Sequence, residues 1–257
     1  KMTVEIAAAA AAAGRAGQVH TENVLDLRNR GLTRWEPADA DRSVRVLILA
    51  QNLLPALTPA VRMLADLRVL DLAENLLEGL PDEVGELSGI RCLHLDGNRM
   101  QVLPEAIGDL AELVCLDVSE NPLGVLPGWV GGLSALAELR ASGCGLREVP
   151  AELGRMRGLR ELHLRGNALT GLPGALAGMT GLRHLDLRDN RFDAVPGVVA
   201  RMTRLTRLDL RGNQIRELGE TLLWLPALEE LDLRGNPVGE ADETVRALQA
   251  RGCLVHV

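Results

Sequence analysis

A single residue type returns at a fixed interval of 23 residues along most of this chain. We call these the ladder positions, and they are Asn52, Asn75, Asn98, Asn121, Cys144, Asn167, Asn190, Asn213 and Asn236. A globular domain has no reason to repeat itself so regularly, whereas stacked coils must meet their neighbours in one register. The spacing therefore predicts a solenoid in which each coil takes 23 residues.

One coil, residues 182–204, contains two segments that differ in the spacing of their apolar residues. Leu185 and Leu187 alternate with polar residues, which is the period of a strand buried on one face. Apolar residues then recur three apart, at Val199 and Met202, which favours a helical or 3₁₀ turn. Pro196 stands between the two parts, where its missing N–H costs little. Neighbouring coils are therefore predicted to form parallel strands about 4.8 Å apart, with turns on the opposite side.

The order of residues in these coils, LxxLxLxxNxLxxLPxxLxxL, resembles the leucine-rich repeat family from about Val24 to Val238. The 23-residue coil with LP after the strand is similar to the intracellular type of Ras-group and bacterial Roco proteins. The resemblance implies an α/β fold, a right-handed horseshoe solenoid with a parallel sheet on its concave face. It also implies that this face binds other macromolecules.

The ends of the array depart from the pattern, as terminal coils must. We expect a capping helix from Thr3 to about Ala13 within an N-terminal region of residues 1–23, and repeats over residues 24–239. Residues 240–257 are predicted to form a C-terminal cap. In that cap a helix would span 240–251, Trp224 would pack against it, and a last strand would place Leu254 in register with Leu231.

Composition narrows the class of partner and the compartment. The net charge of −7 argues against nucleic acid, whose phosphates attract basic proteins. The sequence lacks an apolar stretch of about 18 residues that would span a membrane. Four dispersed cysteines match no disulfide framework and indicate reduced thiols, so we expect a cytoplasmic protein, or one delivered into a host cell if it is an effector.

The residues that flank the strand leucines are predicted to point to the concave side, because strand side chains alternate. At the N-terminal end they form what we call the apolar zone, which comprises Val46, Ile48, Ala50, Val69 and Ala73, with Asp71 beside it. Contiguous exposed apolar residues commonly mark a contact site. Three interpretations stay open: the zone binds a partner or a second copy, the N-terminal region covers it, or it has no role.

At the C-terminal end the same columns carry charge. We call this the charged zone, and its members are Arg165, His184, Asp186, Arg188, Asp209, Arg211, Asp232 and Arg234. A column of carboxylates beside a column of arginines offsets the repulsion between like charges. The zone is either a self-neutralised solvated surface or a site where a carboxylate or phosphate of a partner binds the arginine side chains.

Between the two zones, neighbouring strands present Cys92, His94, Cys115 and Asp117. These residue types are zinc ligands, so the four are candidates for a metal site. Four parallel side chains on a flat sheet do not readily form a tetrahedron, and a solvated polar surface is the simpler interpretation. No resident cofactor is expected.

Catalytic chemistry finds little support in the sequence. Ser119 and Ser142 have no histidine within reach on the predicted surface, and no glycine-rich phosphate loop opens a long helix. We therefore expect a non-enzymatic adaptor, regulator or effector that binds another protein on the concave face. The resemblance implies a GTPase, a phosphatase or a host protein as partner. A metal sensor or enzyme, and a self-assembling structural protein, are the alternatives; a monomer is expected, with a homodimer as the other state.

Overall fold

The computed structural model describes residues 19–21 and 23–257. The helix predicted for Thr3–Ala13 lies outside these residues. The described chain contains twelve strands in one sheet, arranged in sequence order. They are β1 Val19–Thr21, β2 Val24–Asp26, β3 Val46–Ile48, β4 Val69–Asp71, β5 Cys92–His94, β6 Cys115–Asp117, β7 Glu138–Arg140, β8 Glu161–His163, β9 His184–Asp186, β10 Arg207–Asp209, β11 Glu230–Asp232 and β12 Leu254–His256.

The strands from β2 to β12 are parallel, as the repeat predicts. Residues one period apart pair directly, as Leu47 does with Leu70 and Leu70 with Leu93. Strand β1 was not predicted and pairs antiparallel with β2. Asn23, with a φ of 73°, lies in the turn between them. The fold is the predicted α/β solenoid with its strands on the concave face.

Short 3₁₀ helices form the opposite side of the stack. They are η1 Asp39–Ser43, η2 Pro59–Met63, η3 Asp82–Glu86, η4 Glu105–Asp109, η5 Gly128–Gly132, η6 Ala151–Arg155, η7 Gly174–Gly178, η8 Gly197–Arg201 and η9 Thr221–Trp224. A proline precedes most of them, and its carbonyl accepts the first bond of the turn, as Pro81 does from the Val84 N–H at 3.1 Å. The missing N–H of the proline thus leaves the turn intact.

An aliphatic core runs the length of the stack between strands and turns. The strand leucines are fully buried in successive coils, as at Leu93, Leu116 and Leu139. The only phenylalanine of the chain, Phe192, is also fully buried. Because each coil buries its apolar residues against the next, the core needs no large aromatic residues.

The ladder asparagines satisfy backbone groups that the strands do not reach. Asn98 accepts a hydrogen bond from the Leu77 N–H at 3.0 Å and donates to the carbonyls of Leu72 and Leu95 at 3.0 and 2.9 Å. Each amide thus ties its own coil to the preceding one. The first coil lacks a ladder asparagine, and there Asn52 accepts from the N–H groups of Arg30 and Leu32.

The C-terminal cap differs from the prediction in two details. Helix α1 spans Glu243–Ala250, and the carboxylate of Asp242 caps it by accepting from the Thr244 N–H at 2.8 Å. Strand β12 is shifted by one residue from the predicted register, since Leu254 pairs with Glu230. The shift places Val255 against the core and leaves Leu254 on the outward side of the alternating strand.

Trp224 is 69% exposed and is therefore not buried against α1 as predicted. The guanidinium of Arg251 ties the end of the helix to η9 instead, donating to the carbonyls of Leu223 and Leu225 at 3.0 and 2.6 Å. Polar bonds to these carbonyls thus join the helix to the turn. No helix among the described residues is long and apolar enough to cross a lipid bilayer.

Candidate protein-binding face

The apolar zone is not the exposed patch that the sequence predicts. Only 1% of Ile48 and 5% of Val69 are accessible. Val69 packs in one cluster with Val46, Cys92 and Cys115, its neighbours along the same row of the sheet. These two side chains are therefore not exposed, and a contact role for the zone stays a prediction. The alternative that the N-terminal region covers the zone concerns residues outside those described.

The residues beside the apolar zone are polar or lie at its rim. Asp71 is half-buried, and its carboxylate accepts from the Ala73 N–H at 3.1 Å, so part of its bonding capacity serves its own turn. Leu53 is half exposed at the rim.

The four candidate zinc ligands do not converge. Cys92 and Cys115 are buried free thiols, and the hydrogen bond between them, together with burial, raises the pKa of Cys115. His94 and Asp117 instead converge with Asp96, with ligand atoms within 4.8 Å of one another. The reason is that the cysteines belong to the row that packs against Val46 and Val69.

Asp96 was not among the predicted ligands. Its burial, followed by repulsion from Asp117, raises its pKa to about 6. The signal was present in the sequence, because Asp96 follows His94 by two residues and therefore lies on the same side of the chain.

The aspartates of the charged zone and three of its arginines, from Asp186 to Arg234, form one continuous chain of ion pairs. Arg188 contacts Asp186 of its own coil at 2.6 Å and Asp209 of the next coil at 3.4 Å. Arg211 repeats the pattern with Asp209 at 2.7 Å and Asp232 at 3.4 Å. The chain ends with the Arg234–Asp232 pair at 2.6 Å. The predicted offset of like charges by the opposite column is thus realised as a zigzag across coils.

Asp186 is the most deeply buried member of this chain, with 2% of it exposed. Burial alone would raise its pKa, but the neighbouring His163 and hydrogen bonds from Arg188 outweigh it and hold the pKa well below its usual range. Asp186 therefore stays ionised at neutral pH and fixes the side chains around it. Arg165 lies outside the zigzag, because its coil has His163 in the aspartate position, and it pairs with Asp189 at 3.0 Å.

Two histidines and a glutamate meet where the zigzag begins. The Glu161 carboxylate lies 3.2 Å from Nε2 of His163 and 4.0 Å from Nδ1 of His184. The two imidazole rings meet edge to face, with centroids 4.9 Å apart. His184 was predicted as a binding residue, but the cluster itself was not. A histidine on each of two adjacent strands was the available signal.

The concave surface around these groups is an open depression of about 690 Å³. Its lining includes Asp117, Arg140, His163, Arg165 and Asp186. It is polar and shallow, and therefore suits a protruding polar surface of a macromolecule better than an apolar small ligand.

Stacked coils with a parallel inner sheet, an asparagine ladder and 3₁₀ turns define a leucine-rich repeat solenoid. Residues 34–171 match the model of a leucine-rich repeat region, and residues 203–243 match a model of two leucine-rich repeat copies. The first match covers more than half of the chain, which therefore belongs to the leucine-rich repeat family. Members of this family generally act as protein–protein interaction modules. No curated protein matches the sequence significantly.

Solved structures share the fold. A leucine-rich repeat protein of Leptospira interrogans is 25% identical, with a TM-score of 0.62 over 83% of this chain and 72% of its own. The functional domain of InlJ from Listeria monocytogenes, which includes a cysteine ladder, is 22% identical with a TM-score of 0.71 over 87% of this chain. This chain spans only 46% of that domain.

A third similar structure is a plant receptor. It is the ectodomain of the receptor kinase GASSHO1/SCHENGEN3 from Arabidopsis thaliana, solved in complex with CASPARIAN STRIP INTEGRITY FACTOR 2. It is 27% identical with a TM-score of 0.67, and the match covers 88% of this chain but 29% of the ectodomain.

Proposed function

We propose that this chain is a non-enzymatic module that binds another protein on its concave face, with the charged zone as the contact surface. The observation that carries the proposal is the continuous chain of ion pairs from Asp186 to Arg234. The family's general role in protein interaction supports it, as does the partner-bound state of the similar plant ectodomain.

The arginines suit a partner that presents carboxylates or phosphates. Arg188 and Arg211 keep 28% and 34% of their side chains exposed while they pair with aspartates. Their contacts in this chain use Nε and Nη2, and a guanidinium has five N–H donors in a fixed fork. An incoming anion would share the arginine and gain a charge-assisted bond. Exposed arginine is also favoured at the energetic centres of interfaces.

We place the module in the cytoplasm, as an adaptor or regulator or, if it is delivered into a host cell, an effector. Free thiols at Cys92, Cys115, Cys144 and Cys253 support a reducing compartment. A GTPase, a phosphatase or a host protein is the partner that the family type suggests.

Charge reversal on the concave face tests the proposal. The partner is first captured from native cell extract and purified. The double variant Arg188→Glu/Arg211→Glu should bind it at least tenfold more weakly, a loss of about 1.4 kcal/mol in binding free energy. The residual binding should depend less on salt, because two attractive charges have been removed. Binding is measured by calorimetry at several ionic strengths.

The matched control is Arg155→Glu/Arg201→Glu, which makes the same charge change on η6 and η8 at the opposite side of the coils. This control should bind as the wild type does. Equal affinity for the two double variants would show that the charged zone is not the contact surface.

A further inference from the structure

We propose that Glu161, His163 and His184 form a binding site for a divalent transition metal of the zinc class on the concave face. The metal would keep at least one coordination position open towards the solvent side. The proposal does not depend on the protein-binding role, because it concerns the affinity of this chain for the ion alone.

The three ligand atoms already stand close to coordination distance. All lie within 4.8 Å of one another. Tetrahedral zinc with bonds of about 2.0–2.1 Å separates neighbouring ligand atoms by roughly 3.3 Å. The 3.2 Å between Glu161 and His163 fits this spacing, and the 4.0 Å between Glu161 and His184 requires only a small side-chain rotation.

The sheet holds the ligands in place. Glu161 of β8 pairs directly with His184 of β9, and His163 pairs with Asp186. Two of the ligands are therefore direct cross-strand neighbours, and the third lies two residues along the same face. Ligands placed on adjacent strands of a rigid sheet lose little freedom when a metal binds.

A buried carboxylate supports the site from behind. Oδ2 of Asp186 lies 3.8 Å from Nδ1 of His163, on the side of the ring away from the Nε2 that faces Glu161. Metal-bound imidazoles usually donate their other N–H to such a carboxylate, which fixes the tautomer and strengthens the ligand. Arg188 contacts the same Oδ2 at 2.6 Å, so Asp186 is held as a supporting group rather than as a ligand.

The second cluster, His94 with Asp96 and Asp117, suits zinc less well. It offers one nitrogen and two carboxylates, whereas the Glu161 cluster offers two nitrogens and one carboxylate. Zinc in proteins favours nitrogen and sulfur ligands. This cluster supplies the matched control.

The test is Zn²⁺ affinity of the full chain after treatment with a chelator, measured by competition with a chromophoric chelator. We expect one strong Zn²⁺ site per chain. The Zn²⁺ affinity should fall at least tenfold in each of the variants His163→Gln, His184→Gln and Glu161→Gln. Co²⁺ should give the visible absorption of a four-coordinate site in the wild type and not in the histidine variants. Circular dichroism of each metal-free variant confirms that the fold persists.

Control variants separate this site from its neighbours. His94→Gln and the pair Cys92→Ser/Cys115→Ser should retain the wild-type affinity and Co²⁺ spectrum. Absence of a strong site in the wild type would overturn the proposal. So would strong binding that survives the loss of His163 and His184 but disappears with His94 or the cysteines.

Discussion

At the scale of single residues, the ladder position decides how firmly adjacent coils are joined. An asparagine there offers an acceptor and two donors, whereas Cys144 offers only weak contacts to the carbonyls of Val118 and Ser142, both at 3.4 Å. The Leu123 N–H, which an asparagine amide would accept, turns to the Asn121 carbonyl instead. Burial raises the pKa of Cys144 to about 12, which suits a structural thiol and not a nucleophile.

The ladder can be tested by comparing two alanine substitutions. Asn121→Ala should lower the free energy of unfolding by about 2–3 kcal/mol, because the buried Met100 N–H and the carbonyls of Leu95 and Val118 lose a partner. Cys144→Ala should cost about 1 kcal/mol, since it removes one small buried group and weak bonds. Urea denaturation measures both. A larger loss for Cys144→Ala would contradict the role given to the amide.

At the scale of elements, the 3₁₀ turns pack so closely that some positions admit only glycine. A Cβ on Gly154 in η6 would lie 2.1 Å from the Ala175 carbonyl oxygen of η7, and one on Gly178 would lie 2.2 Å from the Gly154 carbonyl oxygen. Real Cβ contacts do not approach so closely, so a side chain would push the coils apart. Because these turns occupy little space along the stack, neighbouring coils can lie as close together on the outer side as their strands do on the inner side.

This packing predicts opposite results at two glycines of neighbouring turns. Gly154→Ala should destabilise the protein by about 1–3 kcal/mol through overpacking. At Gly174 no neighbouring atom lies within 4 Å of an added Cβ. Gly174→Ala should therefore be neutral or stabilising by up to about 1 kcal/mol, because alanine restricts the unfolded chain. Thermal unfolding distinguishes them, and equal effects would show that the close approach carries no energetic weight.

At the scale of the whole molecule, the protein is a linear array in which each coil contacts its neighbours. Residues one period apart pair at every junction from β3 to β11, and the core is one continuous column. Stability in such an array is approximately a sum of coil and junction terms. Coils are therefore interchangeable units, provided that the register between them is kept.

Removal of one whole coil should be tolerated. Deletion of residues 76–98 joins Asn75 to Arg99, so the next coil follows a ladder asparagine as it did before. We expect cooperative unfolding, far-ultraviolet circular dichroism per residue like that of the full chain, and a shorter particle in small-angle scattering. Deletion of residues 76–87 removes only part of a coil and should abolish cooperative unfolding. Comparable folding of the two deletions would contradict a fixed coil length.

Most of the correct predictions concern the repeating part of the chain. They include the parallel register, the turns after prolines and the column of aspartates beside arginines. Each of these follows from a pattern that recurs in several coils. The errors lie at the ends and in the surface details: the register of β12, the exposure of Trp224 and the burial of Ile48. Strand β12 lies beyond the last repeat, and the residues equivalent to Ile48 and Trp224 in neighbouring coils, Asp71 and Arg201, are of other types, so the repeat pattern does not constrain burial there.

The amino-acid sequence by itself determined the period, and with it which residues become neighbours across strands, because identical coils can stack in only one register. It could not determine where side-chain atoms meet. The tertiary structure decided that Glu161 converges with His163 and His184, while Cys92 and Cys115 turn into an apolar row. The physical reason is that register fixes the backbone neighbours, whereas rotamers and burial depend on every side chain packed around them.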